Sequence, residues 1–97
     1  MNNPLTELRR LLNEAGIPYE DNSELLSVSI MDRVWYRRDR NVICSAVWGM
    51  GSYGYEDGLI EIMGLLTDEE REKDDVVGYL TPEEVFRRIK EDWKRFK

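Results

Sequence analysis

The stretch AVWGMGSYGYEDGLIEIMGL, Ala46 to Leu65, sets Trp48, Tyr53 and Tyr55 among Gly49, Gly51, Gly54 and Gly58. Glycines this frequent rule out a helix, and acidic residues followed by glycine, as in Tyr55-Glu56-Asp57-Gly58, commonly reverse a chain. The stretch therefore reads as the bend of a hairpin, with Leu59, Ile60, Ile62 and Met63 forming the return strand. Hairpin loops usually need about 2–5 residues. The segment between Trp48 and Leu59 is longer, so Trp48, Tyr53 and Tyr55 remain candidates for stacking on a ligand.

Upstream, Val42, Ile43, Cys44, Ala46, Val47 and Trp48 are nearly all apolar, which suits the centre of a sheet covered on both faces. Tyr36 to Asn41, YRRDRN, is the polar connection that closes a hairpin onto that strand. From Leu25 to Met31 residues alternate, with Leu26, Val28 and Ile30 on one side and Ser27, Ser29 and Met31 on the other, the pattern of a half-buried strand. Asp32 interrupts it. A straight continuation would bury Asp32 with Val34 and Tyr36 and without an obvious partner, so a bulge or turn near Asp32 is expected, bringing Trp35 inward in place of Tyr36.

Both chain ends read as amphipathic helices. Asn3 is a suitable N-cap, Pro4 fits the first helical position, and Leu5, Leu8, Leu11, Leu12 and Ala15 share a face until Gly16 and Pro18 stop the helix. Arg9, Arg10, Asn13 and Glu14 then face water. At the other end Thr81 caps, Pro82 opens the helix, Glu83 and Glu84 meet its positive pole, and Leu80 can staple to Val85. Val85, Phe86, Ile89, Trp93 and Phe96 recur on one face and predict core burial, Trp93 and Phe96 included. Between these helices, Thr67 and Glu70 form a capping box for a short acidic helix from Asp68 to about Asp74. With almost no apolar stripe, that helix should lie on the surface or fray.

The predicted fold is α+β: a three- or four-stranded antiparallel sheet packed by the N-terminal and C-terminal amphipathic helices, plus the short acidic helix. Both long helices must share one sheet face, since only the sheet offers area enough for both apolar stripes. At 97 residues the chain, 1–97, forms a single domain.

Composition narrows the chemistry. The chain has no histidine, which removes Ser-His, Cys-His and HExxH arrangements, and with one cysteine it leaves no structural zinc site. Cys44 lies in an apolar segment and reads as a small buried hydrophobe. Carboxylate chemistry would draw on Asp32, Asp39, Glu56, Asp57 and Glu61, most of which turns or solvated faces explain. No catalytic residue, cofactor or metal site is expected. The net charge of -6 argues against direct binding to nucleic acid or an anionic membrane. No apolar run approaches the roughly 20 residues of a membrane span, nor is there a signal-peptide core, so a soluble cytoplasmic protein is expected.

Charge is unevenly spread. Asp68 to Asp75 holds six acids and two bases, whereas Arg87 to Lys97 holds six bases and two acids. The acidic run, Asp68, Glu69, Glu70, Glu72, Asp74 and Asp75, is the candidate protein-binding surface, able to imitate phosphate spacing and block a nucleic-acid-binding protein. Tyr36, Arg37, Arg38 and Arg40 are the candidate phosphate cluster, completed by Trp48, Tyr53 or Tyr55 where an oligomer brings opposite sheet ends together.

Glu7 to Glu20, ELRRLLNEAGIPYE, followed by strands and then by Leu80 to Ile89, LTPEEVFRRI, resembles a family of short phage and prophage proteins of Gram-positive, often gut-dwelling, bacteria. Members look like an ELRRLL helix ending in glycine, a glycine-containing strand pair and an LTPEQ-type closing helix. The segments Ser52 to Asp57 and Thr67 to Tyr79 look like insertions relative to shorter members. The shared motifs are caps and core faces, so no catalytic residues carry over. What the resemblance implies is a viral accessory protein in the bacterial cytoplasm, acting on a host component. The readings that follow are a non-enzymatic module that binds and inhibits a host protein, such as a defence or nucleic-acid-binding factor; an oligomer that sequesters a small nucleotide signal; a structural or interaction domain; and, last, an enzyme using histidine-free carboxylate or tyrosine chemistry.

Overall fold

The computed structural model describes residues 3–22 and 31–96. Their order is α1 (Pro4–Ala15), β1 (Glu20–Asp21), β2 (Met31–Arg38), β3 (Asn41–Gly49), a 3-10 turn (Tyr55–Asp57), β4 (Ile60–Met63), α2 (Asp68–Lys73), β5 (Val76–Leu80) and α3 (Pro82–Phe96). The strands form one antiparallel sheet in the order β1-β2-β3-β4-β5, making the fold α+β. β1 and β5 lie beyond the core hairpins the sequence reveals. β1 is too short to alternate, and β5 starts directly after a charged run and carries Gly78 in its middle. The expected strand through Leu26, Val28 and Ile30 lies outside the described residues.

α1 begins where Asn3 Oδ1 accepts the Leu5 N–H at 2.9 Å. It ends where Gly16, left-handed at φ 71, lets Ile17 N–H return to Leu12 O at 3.0 Å and seats Ile17 in the core. α3 begins where Thr81 Oγ1 accepts from Glu84 N at 3.1 Å. Leu5, Leu8 and Leu12 of α1 and Val85 and Ile89 of α3 are buried in the same cluster as Val34, Tyr36, Cys44, Ala46, Ile60 and Ile62 of the sheet. Both helices thus cover one face. Leu11 is only half-buried and Ala15 is exposed.

The largest departure from expectation is at Asp32. β2 runs without a break from Met31 to Arg38, and Asp32, Val34 and Tyr36 all point into the core, at 4%, 1% and 0% exposure. Trp35 stays half-buried on the other face, and the irregularity falls later, between Tyr36 and Arg37. The physical reason is Arg9. Rather than facing water, it crosses from α1 and donates Nη2 to Asp32 Oδ1 at 2.5 Å and Nη1 to Oδ2 at 2.8 Å. Asn3 Nδ2 adds a third donor at 2.7 Å. A carboxylate satisfied by a guanidinium fork and an amide can stay inside at tolerable cost.

A second polar clasp closes the other end of that row. Tyr36 Oη donates to Asp92 Oδ2 at 2.6 Å, and Arg38 Nε reaches the same oxygen at 2.9 Å. Asp92, only 7% exposed, takes a place in the apolar stripe of α3. Phe96, expected in the core, is 56% exposed: it is the last residue of α3, where its ring lies 3.8 Å from the Arg38 guanidinium carbon and borders an open groove. Trp93 is half-buried against the core edge.

Arg9→Met should leave the buried Asp32 without its counter-charge, held by Asn3 alone, and lower unfolding free energy by about 3–5 kcal/mol, whereas Arg9→Met with Asp32→Leu should recover most of that loss. Urea melts of the two variants check this. Equal losses would show that the pair does not hold the helix to β2.

Candidate functional site

The glycine-rich segment is more than a bend. Ser52 N–H and Oγ both bond Gly49 O, at 2.9 and 2.8 Å, which starts the turn, and Leu59 N–H closes it on Gly54 O at 2.9 Å. Trp48 Nε1 donates to Tyr55 O at 3.3 Å, and the two rings lie 4.9 Å apart. Trp48 and Tyr55 therefore cover each other. Between them the loop leans on β5, where Tyr79 N–H donates to Tyr53 O at 3.3 Å. Gly78 makes this approach possible, since a Cβ there would sit 2.2 Å from Tyr53 Cβ. Gly54, at φ 96, lies against the Tyr79 backbone, 3.1 Å from where its own Cβ would be.

Docked in this way, the loop and β5 display two tyrosines. Tyr53 is 53% exposed and Tyr79 59%, and Tyr79 holds a left-handed backbone at φ 60 that a tyrosine rarely adopts. Both line a hollow of about 350 Å³ with Glu69, Lys73, Val76 and Gly78. Tyr53 and Tyr79 also border a smaller depression beside Glu56 and Asp57. The acidic helix and the aromatic loop, separate in the sequence, thus share one surface.

α2 buries nothing, yet it is anchored. Thr67 and Glu70 make the reciprocal capping box, at 3.2 and 2.9 Å. Arg88 of α3 grips Glu70 with both Nη atoms, at 2.7 and 2.8 Å, and Nη1 also reaches Leu65 O at 2.9 Å. The Arg88 hydrogen bonds pull the Glu70 carboxyl from its usual 4.5 to about 2. Glu70 is therefore committed to structure, whereas Asp68, Glu69, Glu72, Asp74 and Asp75 are exposed. Asp74 caps locally, taking the Asp75 N–H at 2.6 Å.

The arginine cluster is arranged differently from the sequence expectation. Tyr36 is fully buried and its hydroxyl is held protonated, first by burial and then by its bond to Asp92, so it offers no stacking face. Arg37 and Arg38 border a groove of about 510 Å³ whose other walls include Tyr19, Trp35, Trp93 and Phe96. Arg40 lies exposed in the adjacent turn, its carbonyl 3.5 Å from Arg37 Nη1. Trp48 pairs with Asp32 across the sheet, whereas Arg38 pairs with Asn41. Six residues of strand, roughly 20 Å, separate these positions. Within one molecule the arginines are therefore not joined by Trp48, Tyr53 or Tyr55. Trp35, Trp93 and Phe96 take their place, and only the aromatic-basic end of α3 hinted at them.

Cys44 is 1% exposed and burial pushes its thiol up to about 12, so it acts as a core residue. Asp32 and Asp92 are each engaged by an arginine. Among the described residues no three His, Cys, Asp or Glu side chains are placed to hold a metal ion.

Two outcomes are expected. Gly78→Ala should drive Tyr53 off β5 and cost about 1–3 kcal/mol, read as a lowered melting temperature; an unchanged melt would mean that the loop is not packed there. For Glu70, whose folded value lies below its unfolded one, the Arg88 contact is fully present above about 4.5 and is lost as pH falls towards about 2. Glu70→Gln should flatten the wild-type loss of stability across that window in pH-dependent urea melts.

No protein-family model, curated protein or solved structure matches this chain.

Proposed function

We propose that this chain is a small phage- or prophage-encoded accessory protein that acts without catalysis, binding a host bacterial protein in the cytoplasm and inhibiting it. The viral setting rests on the sequence resemblance, ELRRLLNEAGIPYE and LTPEEVFRRI. The binding role rests on one observation: two half-exposed tyrosines, held by a docked loop, stand over a hollow beside an anchored acidic helix. Tyrosines of this kind are the residues that dominate interface energetics when a partner buries them. Surrounding carboxylates at Asp68, Glu69, Glu72, Asp74 and Asp75 add long-range attraction for a basic surface and speed its encounter. The matching partner is a lysine- and arginine-rich protein surface, such as one that otherwise binds nucleic acid. No helix among the described residues is long and apolar enough to cross a membrane.

The test compares capture of host proteins by the wild type and by Tyr53→Ala/Tyr79→Ala, which keeps the backbone contact between the two positions. A partner should be retained by the wild type, released as salt rises, and bound about 30-fold more weakly by the double variant. Capture that ignores both salt and the tyrosines would overturn the assignment of this face.

A further inference from the structure

A separate observation concerns the groove at the β2–β3 hairpin. Arg37 Nε is shielded from solvent there and makes no hydrogen bond. It lies 3.2 Å from Glu20 Oε1, an ion pair whose geometry does not aim the N–H at the carboxylate. A buried donor left unmade is costly in a native protein and calls for an explanation. Glu20 is itself 63% exposed.

The surroundings supply one. The groove, about 510 Å³, falls within the roughly 300–1,000 Å³ range of small-molecule sites. Tyr19, Trp35, Trp93 and Phe96 bring four aromatic rings to its lining. Arg38 is preorganised, its Nε fixed on Asp92 and its guanidinium carbon 3.8 Å from the Phe96 ring centre. Arg37 and Arg38 line the groove, and Arg40 stands exposed in the adjacent turn. Glu20 and Asp39 oppose them in the lining, while Asp92 is neutralised by Arg38.

We infer that this groove binds a nucleoside monophosphate, alone or as a unit of a larger nucleotide, with the base against the aromatic walls and the phosphate on Arg37. Stacking accepts any base because each has a π-face, and a guanidinium matches phosphate with its planar fork of donors. A phosphotyrosine peptide carries the same anion but one ring, and it leaves most of an aromatic lining unused. The groove borders β1 and β2 and the acidic surface borders β5, at opposite edges of the sheet, so either can fail alone.

The experiment is titration of the full chain with AMP, GMP, CMP and UMP, their nucleosides, inorganic phosphate and a phosphotyrosine peptide, read by tryptophan fluorescence and calorimetry. At least one monophosphate should quench fluorescence and bind with a dissociation constant of about 100 μM, with its nucleoside and phosphate each about tenfold weaker or more. Arg37→Gln and Phe96→Ala should each weaken binding about tenfold, and Tyr79→Ala, on the acidic face, should leave it unchanged. Phe96 is 56% exposed, so its truncation leaves the core intact. The inference is overturned by no binding at about 10 mM, by binding that both groove variants retain, by phosphate binding as tightly as the nucleotides, or by binding of the phosphopeptide alone.

Discussion

The structure depends on one buried ion pair. Arg9 reaches from α1 to Asp32 on β2 with two hydrogen bonds, and its Nε turns to Asp21 Oδ2 on β1 at 2.7 Å. A single guanidinium therefore joins the first helix, the edge strand and β2. The strand has period two, so a slip of one residue would turn Val34 and Tyr36 to solvent together with Asp32. With Arg9 in place, the acid and the apolar residues favour the same register. Such a pair adds little net stability over apolar residues of equal volume. Its contribution is selection among alternatives, since any arrangement that separates α1 from β2 leaves a buried carboxylate alone.

The clasp at Tyr36, Arg38 and Asp92 repeats this logic at the far end of the inward row. Between the two clasps the sheet face is apolar, through Val34, Ala46, Cys44 and Ile62, and the helices close over it. This arrangement consumes the best-placed acids and bases of the interior. Chemistry open to other molecules is displaced to opposite edges of the sheet: carboxylates with Tyr53 and Tyr79 at one, arginines with Trp35, Trp93 and Phe96 at the other. The Arg88 grip on Glu70 explains why the acidic helix stays formed without burying a side chain.

What is legible in the sequence is whatever local chemistry decides. Asn3, Gly16, Thr67 and Thr81 announce helix ends, and Leu5, Leu8, Leu12, Val85 and Ile89 announce core faces, because caps and periodicity act within a few residues. Asp32 misleads because its partner lies 23 residues upstream, and an acid in a strand pattern looks like a break when that partner is unseen. Phe96 misleads for a related reason: helical spacing tells which face a residue shares, not how far the sheet beneath extends. β5 is hidden because its glycine has meaning only against Tyr53, 25 positions away in the chain. The acidic run is readable as a surface, but its aromatic neighbours are assembled by that same long-range contact.

Tyr79 shows where such a contact leads. A left-handed backbone costs a non-glycine residue about 1–2 kcal/mol, and glycine at this position would remove the strain. Glycine would also remove the ring. The fold instead spends two neighbouring glycines, Gly54 and Gly78, on letting the loop come close enough to hold Tyr79 in that conformation, with its side chain outward at 59% exposure. A strained backbone fixed by its surroundings, with a large aromatic left in solvent, has no account in terms of core packing. Under the proposed binding role the ring is there to be covered by a partner, and the strain that Gly54, Gly78 and the Tyr53 contact hold in place would then serve that contact.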